Sequence, residues 1–239
     1  PSVNFLLLED YNPQAPEEHV DFWAIWQASL LCLHPQSIEY VFASEEYGEP
    51  LAGCLNAQFV PVDPSRMRFN ISGTKARASL LKQWQYLTRP VQKNFQQRIC
   101  ICGPESTGKT TLSQWLHTEL NSHSASMSTL IPEYARTYLE HRTATITAKD
   151  IDNIARGQYV CEQLDVGSVT PFLVVDTGVE ASKIWSEHLF DKCSPTLLSL
   201  CESAQYDLYL LCRPDVPWVK DEIRYLPESS DAFFSHLKA

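Results

Sequence analysis

The residues Gly103-Pro104-Glu105-Ser106-Thr107-Gly108-Lys109-Thr110 occupy every fixed position of the pattern G-x-x-x-x-G-K-[ST]. Glycines let the backbone curl until several amide N–H groups point at one spot, which a polyphosphate can fill. Lys109 then sets a point charge where β- and γ-phosphates lie, and the hydroxyl of Thr110 can sit on Mg2+. Gly103, Glu105, Ser106, Thr107, Gly108, Lys109, Thr110 and Thr111 are therefore the candidate nucleotide-binding residues.

Other residues offer chemistry that such a loop needs. Asp176 ends the apolar run Phe172 to Val175, and a carboxylate beyond a strand end can hold Mg2+ beside Thr110. Glu133 and Arg136, in Pro132-Glu133-Tyr134-Ala135-Arg136, follow another expected strand. Glu133 can take a hydrogen bond or a proton from an attacking hydroxyl, and Arg136 can neutralise charge. Asp176 competes with Glu133 for the role of base, and the residues leave that choice open. The segment Arg213 to Arg224 follows a third apolar run and reads as a lid, with Arg213 and Arg224 closing on a transferring phosphoryl group. In it, Trp218 can stack on a cationic ring and Asp221 can hold a hydroxyl. The plainer readings are a core or hinge Trp218 and a helix-start Glu133. Finally, Ser72 and Thr74 can cap a helix whose first turn projects Arg77 toward a phosphate; the plainer alternative is an ordinary cap with a surface arginine.

These residues need strands and helices to hold them. Arg98 to Cys102 reads as a buried strand feeding the glycine loop, and Thr111 to Leu120 as a helix with Leu112, Trp115, Leu116 and Leu120 on one face. Further strands are expected at Ile38–Ala43, Gln58–Val62, Thr129–Ile131, Phe172–Asp176 and Tyr206–Cys212. Helices are expected over Val20–Leu33, Leu51–Leu55, Ile71 through Leu81, and Asp150–Gln163. Strands alternating with helices mean an α/β chain. The polar stretch Thr88 to Gln97 reads as a connector between two domains, 1–94 and 95–239.

Composition narrows the function classes. Across 239 residues, 44% hydrophobic and 20% charged content supports a packed core and argues against disorder. A net charge of -10 speaks against broad nucleic-acid binding, yet a phosphate site needs only local positive charge. The cysteines show no C-x-x-C spacing, so the reading is buried free thiols in a reducing cytoplasm. No apolar run is long enough for a membrane span and no signal peptide is visible. A start at Pro1, with Phe5-Leu6-Leu7-Leu8 resembling a strand already under way, and a stop at Ala239 in a helix-like stretch read as a piece of a longer protein.

One family carries these motifs in this order. Ser44-Glu45-Glu46-Tyr47-Gly48, Val62-Asp63-Pro64, Ile71 through Arg77, the glycine loop, Pro132 through Arg136 and Arg213 through Arg224 together resemble the NadR-type proteins of bacteria. That family joins a nicotinamide mononucleotide (NMN) adenylyltransferase domain to a ribosylnicotinamide kinase domain. The resemblance implies a P-loop kinase domain with a parallel sheet, preceded by the C-terminal half of a Rossmann-like nucleotidyltransferase domain. It implies ATP with Mg2+, nicotinamide riboside as substrate and NMN or NAD as further small-molecule ligands, with an oligomer possible. In its terms Lys109, Glu133, Asp176, Arg213 and Arg224 are catalytic, and Glu133, Tyr134, Arg136, Trp218 and Asp221 hold the nucleoside. The G-x-F-x-P-x-H-x-G-H signature of the adenylyltransferases is absent here, so adenylyl transfer is not expected. Two alternatives stay open: a nucleotide-sensing module that binds NAD or ATP without turnover, and a P-loop kinase for another nucleoside.

Overall fold

Apolar residues at helical spacing after Val20 give α1 (Phe22–Leu33), where Phe22 is buried and meets Trp23 edge to face at 4.8 Å. This helix belongs to the first of two units, Pro1–Tyr86 and Leu87–Ala239. The computed structural model describes residues 4–122, 124, 126–140, 144–164, 169–216 and 230–238.

In the first unit, β1 (Tyr40–Ala43), α2 (Gly48–Cys54) and β2 (Gln58–Pro61) make a parallel βαβ hairpin. Tyr40 stands opposite Gln58 and Ala43 opposite Pro61, with α2 packed on both strands. The loop that follows is organised by Asp63, whose carboxylate accepts the N–H groups of Met67, Arg68 and Phe69 at 3.0, 3.0 and 3.1 Å. The helix expected through Leu81 is broken. It forms α3 (Gly73–Ala78) and α4 (Leu80–Gln83), separated by Ser79 in an extended conformation. Phe5 to Leu8 forms no strand: Phe5, Leu6 and Leu7 are exposed, without a sheet neighbour to pair with.

The second unit opens with a correction. The expected polar connector is a helix, α5 (Arg89–Phe95), with Pro90 in the first turn, where a missing N–H costs nothing. Then follow β3 (Gln97–Cys102), α6 (Lys109–Ser122), β4 (Ser128–Ile131), α7 (Tyr134–Leu139), α8 (Ala148–Gln163), β5 (Phe172–Asp176), α9 (Val179–Phe190), α10 (Pro195–Ser203), β6 (Leu208–Leu211) and α11 (Ser230–Lys238). The four strands are all parallel in the order β4-β5-β3-β6. Apolar runs without alternation are what such a sheet requires, since both faces are covered. One face presents Ile131, Leu173 and Val175 to Cys161 of α8 and to Tyr206. The helices α8, α9 and α10 pack on one another around Ile151, Ala155, Val179, Leu197 and Ala204.

Helix α6 departs from the expected face at one residue. Trp115 is 59% exposed, while Leu112, Leu116 and Leu120 are half-buried as expected, together with His117. Ser113 is the buried residue of the helix and bonds the Thr110 carbonyl at 2.9 Å. Among the described residues no helix is long and apolar enough to cross a membrane.

Core packing gives a direct check. Leu197 has no exposed surface, whereas its neighbour Leu198 is 41% exposed. Leu197→Ala is expected to lower unfolding free energy by about 2–5 kcal/mol, and Leu198→Ala by under about 1 kcal/mol, in paired urea titrations.

Candidate functional site

The end of the central strand, where the glycine loop begins, is held from both sides. The N–H of Cys212 bonds the carbonyl of Cys102 at 2.8 Å, and the N–H of Thr177 bonds the carbonyl of Ile101 at 2.9 Å. Beyond these anchors the backbone curls. Gly103 has φ +153°, and a Cβ there would stand 2.7 Å from the Cys212 carbonyl oxygen, so no larger residue fits. Ser106 (φ +62°) and Gly108 (φ +82°) also take left-handed conformations, which turn successive amides toward one point. The curl is braced from inside: the Thr107 hydroxyl and the Lys109 ammonium both donate to the carbonyl of Pro104 at 2.8 Å. Helix α6 begins at Lys109, so its N-terminal amides face the same place.

Two carboxylates meet this loop. Asp176, the last residue of β5, is 3% exposed, and the hydroxyls of Thr110 and Thr177 donate to it. Burial pushes its carboxyl above the usual range, against the pull of Thr110, Lys109, Thr177 and Arg136. Glu133 stands between β4 and α7 and makes no capping bond with its side chain, which leaves the carboxylate for the cleft. Burial raises Glu133 too; Lys109 and Arg136 draw it down while Asp176 and Glu105 push it up. Lys109, Thr110, Glu133, Arg136 and Asp176 thus stand within one electrostatic cluster.

Lys109, Thr110, Glu133 and Arg136 border an open cleft of about 1290 Å³, its mouth included. Gly103, Glu105 through Thr111, Glu133 and Arg136 line the polar end. The other end is apolar, made by Leu139, Ile146, Ile151, Ile154, Trp185, Leu189 and Phe233. The rings of Trp185 and Phe233 lie 5.2 Å apart with planes at 51°. Helix α8, which supplies Ile151 and Ile154, is fixed at its start by a capping box: Asp150 accepts the Thr147 N–H at 2.9 Å and the Tyr138 hydroxyl at 2.9 Å.

Several expected residues stand elsewhere. The ring of Tyr134 packs over Gly157, and its N–H bonds Gln158 at 2.9 Å; the side chain is not part of the cleft wall. Arg213 is exposed, one residue beyond Cys212, and outside the wall. Trp218, Asp221 and Arg224 lie outside the described residues. Ser72, Thr74 and Arg77 belong to the first unit. There Ser72 caps α3 by accepting the Lys75 N–H at 3.1 Å, and Arg77 folds back over Gly73. The structure adds cleft residues that the motifs did not mark: Gln158, Thr177, Gly178, Ser182, Trp185 and Phe233. The helical spacing of Ala181, Ile184, Trp185 and His188 was a signal for a packed face, but not for one that borders a cleft.

Known proteins are similar to this chain. The chain is 27% identical over 231 residues to the trifunctional NAD biosynthesis/regulator protein NadR of Salmonella typhimurium, and 26% identical over 231 residues to that of Escherichia coli. In both cases the alignment covers 92% of this chain and 54% of the relative, so the chain spans about half the length of the curated relatives it matches. Two solved structures have the same fold. A NadR protein in complex with NR superposes with a TM-score of 0.62 at 21% identity, covering 96% of this chain and 65% of that one. A NadR protein in complex with NAD and AMP-PNP gives 0.61 at 20%, covering 97% and 66%. Residues 98–239, more than half of the chain, match the family model described as AAA domain, and the chain belongs to that family.

Proposed function

We propose that this chain is a ribosylnicotinamide kinase of NAD salvage, transferring the γ-phosphoryl group of ATP to the 5′-hydroxyl of nicotinamide riboside to give NMN. The observation that carries the reading is the cleft: a phosphate loop with Glu133 in the wall and Asp176 buried beside the loop, together with an apolar wall that holds two aromatic rings. The relatives support it, since they are named for NAD biosynthesis and one solved NadR protein holds NR while another holds NAD with AMP-PNP. Eight free cysteines suit a reducing cytoplasm. Adenylyl transfer is not part of the proposal, because its histidine signature is absent from the 239 residues.

Each residue has a part. The loop amides, the α6 N-terminus and Lys109 hold the β- and γ-phosphates, with the ammonium exchanging the Pro104 carbonyl for phosphate oxygen. The hydroxyl of Thr110 against the carboxylate of Asp176 is a pair of hard oxygen donors suited to Mg2+, which bound there would neutralise charge on the phosphates. With Asp176 engaged by two hydroxyls, Glu133 is the freer carboxylate and serves as base for the attacking hydroxyl. Arg136 lies close enough to both carboxylates to pull their protons off, and it offsets charge that gathers at the transferring group. Trp185 and Phe233 flank the place for a flat cationic ring. For Arg213 and Arg224 the proposed part is to neutralise the transferring phosphoryl group, and for Trp218 and Asp221 to hold the nucleoside; Trp218, Asp221 and Arg224 lie outside the described residues.

Three measurements check the reading. Lys109→Ala is expected to abolish NMN formation from ATP and nicotinamide riboside, with the circular dichroism spectrum and melting temperature unchanged; retained turnover defeats the mechanism. The acid limb of kcat/KM is expected to lie above the pH of an ordinary glutamate, about 4.3, because a raised Glu133 still holds its proton there and only the ionised form acts as base. Glu133→Gln removes that limb and lowers kcat by about 10²–10⁴-fold. Trp185→Ala is expected to raise KM for the nucleoside about tenfold while KM for ATP holds, as seen in initial rates with each substrate varied.

A further inference from the structure

From the cleft wall, where Gln158 stands, a chain of hydrogen bonds runs inward that the proposed chemistry does not use. It begins at the first amide of α7, where the N–H of Tyr134 donates to Gln158 Oε1 at 2.9 Å. Gln158 in turn donates from Nε2 to Glu162 at 3.3 Å, one helical turn further along α8. Glu162 is 5% exposed, and its carboxylate also accepts the Tyr206 hydroxyl, at 2.8 and 2.9 Å to its two oxygens, and Arg98 Nη2 at 2.6 Å. From the far side the first amide of α9, the N–H of Val179, reaches the Tyr206 oxygen at 3.4 Å. One buried carboxylate thus terminates bonds that start at the N-termini of two helices. Gly178 is part of the fit: a Cβ there would stand 2.7 Å from the Tyr206 hydroxyl and 2.9 Å from Cys100 Sγ.

The placement of those two helix starts gives the network its meaning. Tyr134 directly follows Glu133, and Val179 follows Asp176-Thr177-Gly178. The two carboxylates of the cleft hang on exactly the turns that the network ties together, so their separation is tied to one buried anchor. We propose that Glu162 is a positioning residue, which through Gln158 and Tyr206 sets the spacing of Glu133 and Asp176 for phosphoryl transfer. This rests on the kinase reading above for its catalytic consequence, but the mechanical link stands on geometry alone. Burial favours the protonated form of Glu162, while Tyr206, Arg98 and Gln158 hold it as the carboxylate; its partners are therefore what keep the anchor charged. Arg98 is itself fixed by the Gln205 carbonyl at 2.9 Å and sits over the Tyr206 ring at 5.5 Å.

The test is a double-mutant cycle on the whole chain. Gln158→Leu and Tyr206→Phe cut the two arms separately, and Tyr206 does not line the cleft. Each is expected to lower kcat about tenfold, with MgATP affinity by calorimetry held within about twofold, and the double variant to be no worse than the poorer single one. Losses that multiply to about a hundredfold, or a Tyr206→Phe variant with wild-type kcat, overturn the proposal. A second readout needs no turnover. Hydrogen exchange in Tyr206→Phe is expected to quicken at Val179 and also at Tyr134, the far end of the chain of bonds, while the amides of β5 stay protected as in wild type. Quickening at Val179 alone overturns it. A wild-type chain that phosphorylates no nicotinamide riboside defeats the kinase reading, and the exchange result still decides the link. If β5 loses protection in Tyr206→Phe, Glu162→Gln takes its place in the same measurement, and loss of β5 protection there as well shows a purely structural network and overturns the proposal.

Discussion

Two carboxylates beside one lysine, Asp176 buried and Glu133 half-buried, set the terms for this site. Desolvation drives both carboxyls toward their neutral forms, and the charge of Asp176 pushes Glu133 further the same way. Lys109, Arg136 and the hydroxyls of Thr110 and Thr177 work in the opposite direction. The loop amides add fixed positive ends that no titration can remove. In the proposed reaction this second group outweighs the first along the loop and would admit a polyphosphate, while the first group keeps the proton affinity of Glu133 high, as the proposed base requires. The same balance explains why Lys109 rests on the Pro104 carbonyl: its ammonium has an acceptor in place before a phosphate arrives.

The sheet makes that balance geometrically possible. β3 lies between β5 and β6, so the glycine loop leaves the sheet with a bonded strand on each side. Ligands bind beyond the carboxyl ends of parallel strands because loops from adjacent strands converge there. Here β3 ends in the loop, β4 leads to Glu133 and β5 ends in Asp176. Ser106 and Thr177 both carry positive φ without being glycine, and both border the cleft. Such conformations cost energy unless the surroundings enforce them, and the Thr177–Ile101 backbone bond is part of that enforcement.

The sequence made the polar end of the cleft legible and left the apolar end hidden. Gly103 through Thr110 could be read because its chemistry depends on neighbours in the chain, and Asp176 because a strand end is visible as the end of an apolar run. Trp185 and Phe233 come from separate helices, and their meeting depends on how α9 and α11 pack. Nothing in an apolar stripe distinguishes a wall that borders a cleft from one that borders a core. Trp115 shows the reverse error: helical spacing placed it on the inward face, whereas it is 59% exposed and Ser113 is the residue that is buried. Gln158 reads as a surface residue in isolation, yet it is 3% exposed because two helices present donors and acceptors to it. In Thr88 to Gln97, polar composition concealed a helix that Pro90 at the first turn permits.

The central place of β3 also orders events in time. Its hydrogen-bonding partners, β5 and β6, are both synthesised after it, and β6 comes late in the chain. Until that last strand docks, the backbone that braces Gly103 is missing, because Cys212 follows β6. Pairings between segments so far apart form slowly. The loop therefore gains its brace only once β3 is paired on both sides, and any ligand of the loop can stabilise only molecules in which that pairing has formed.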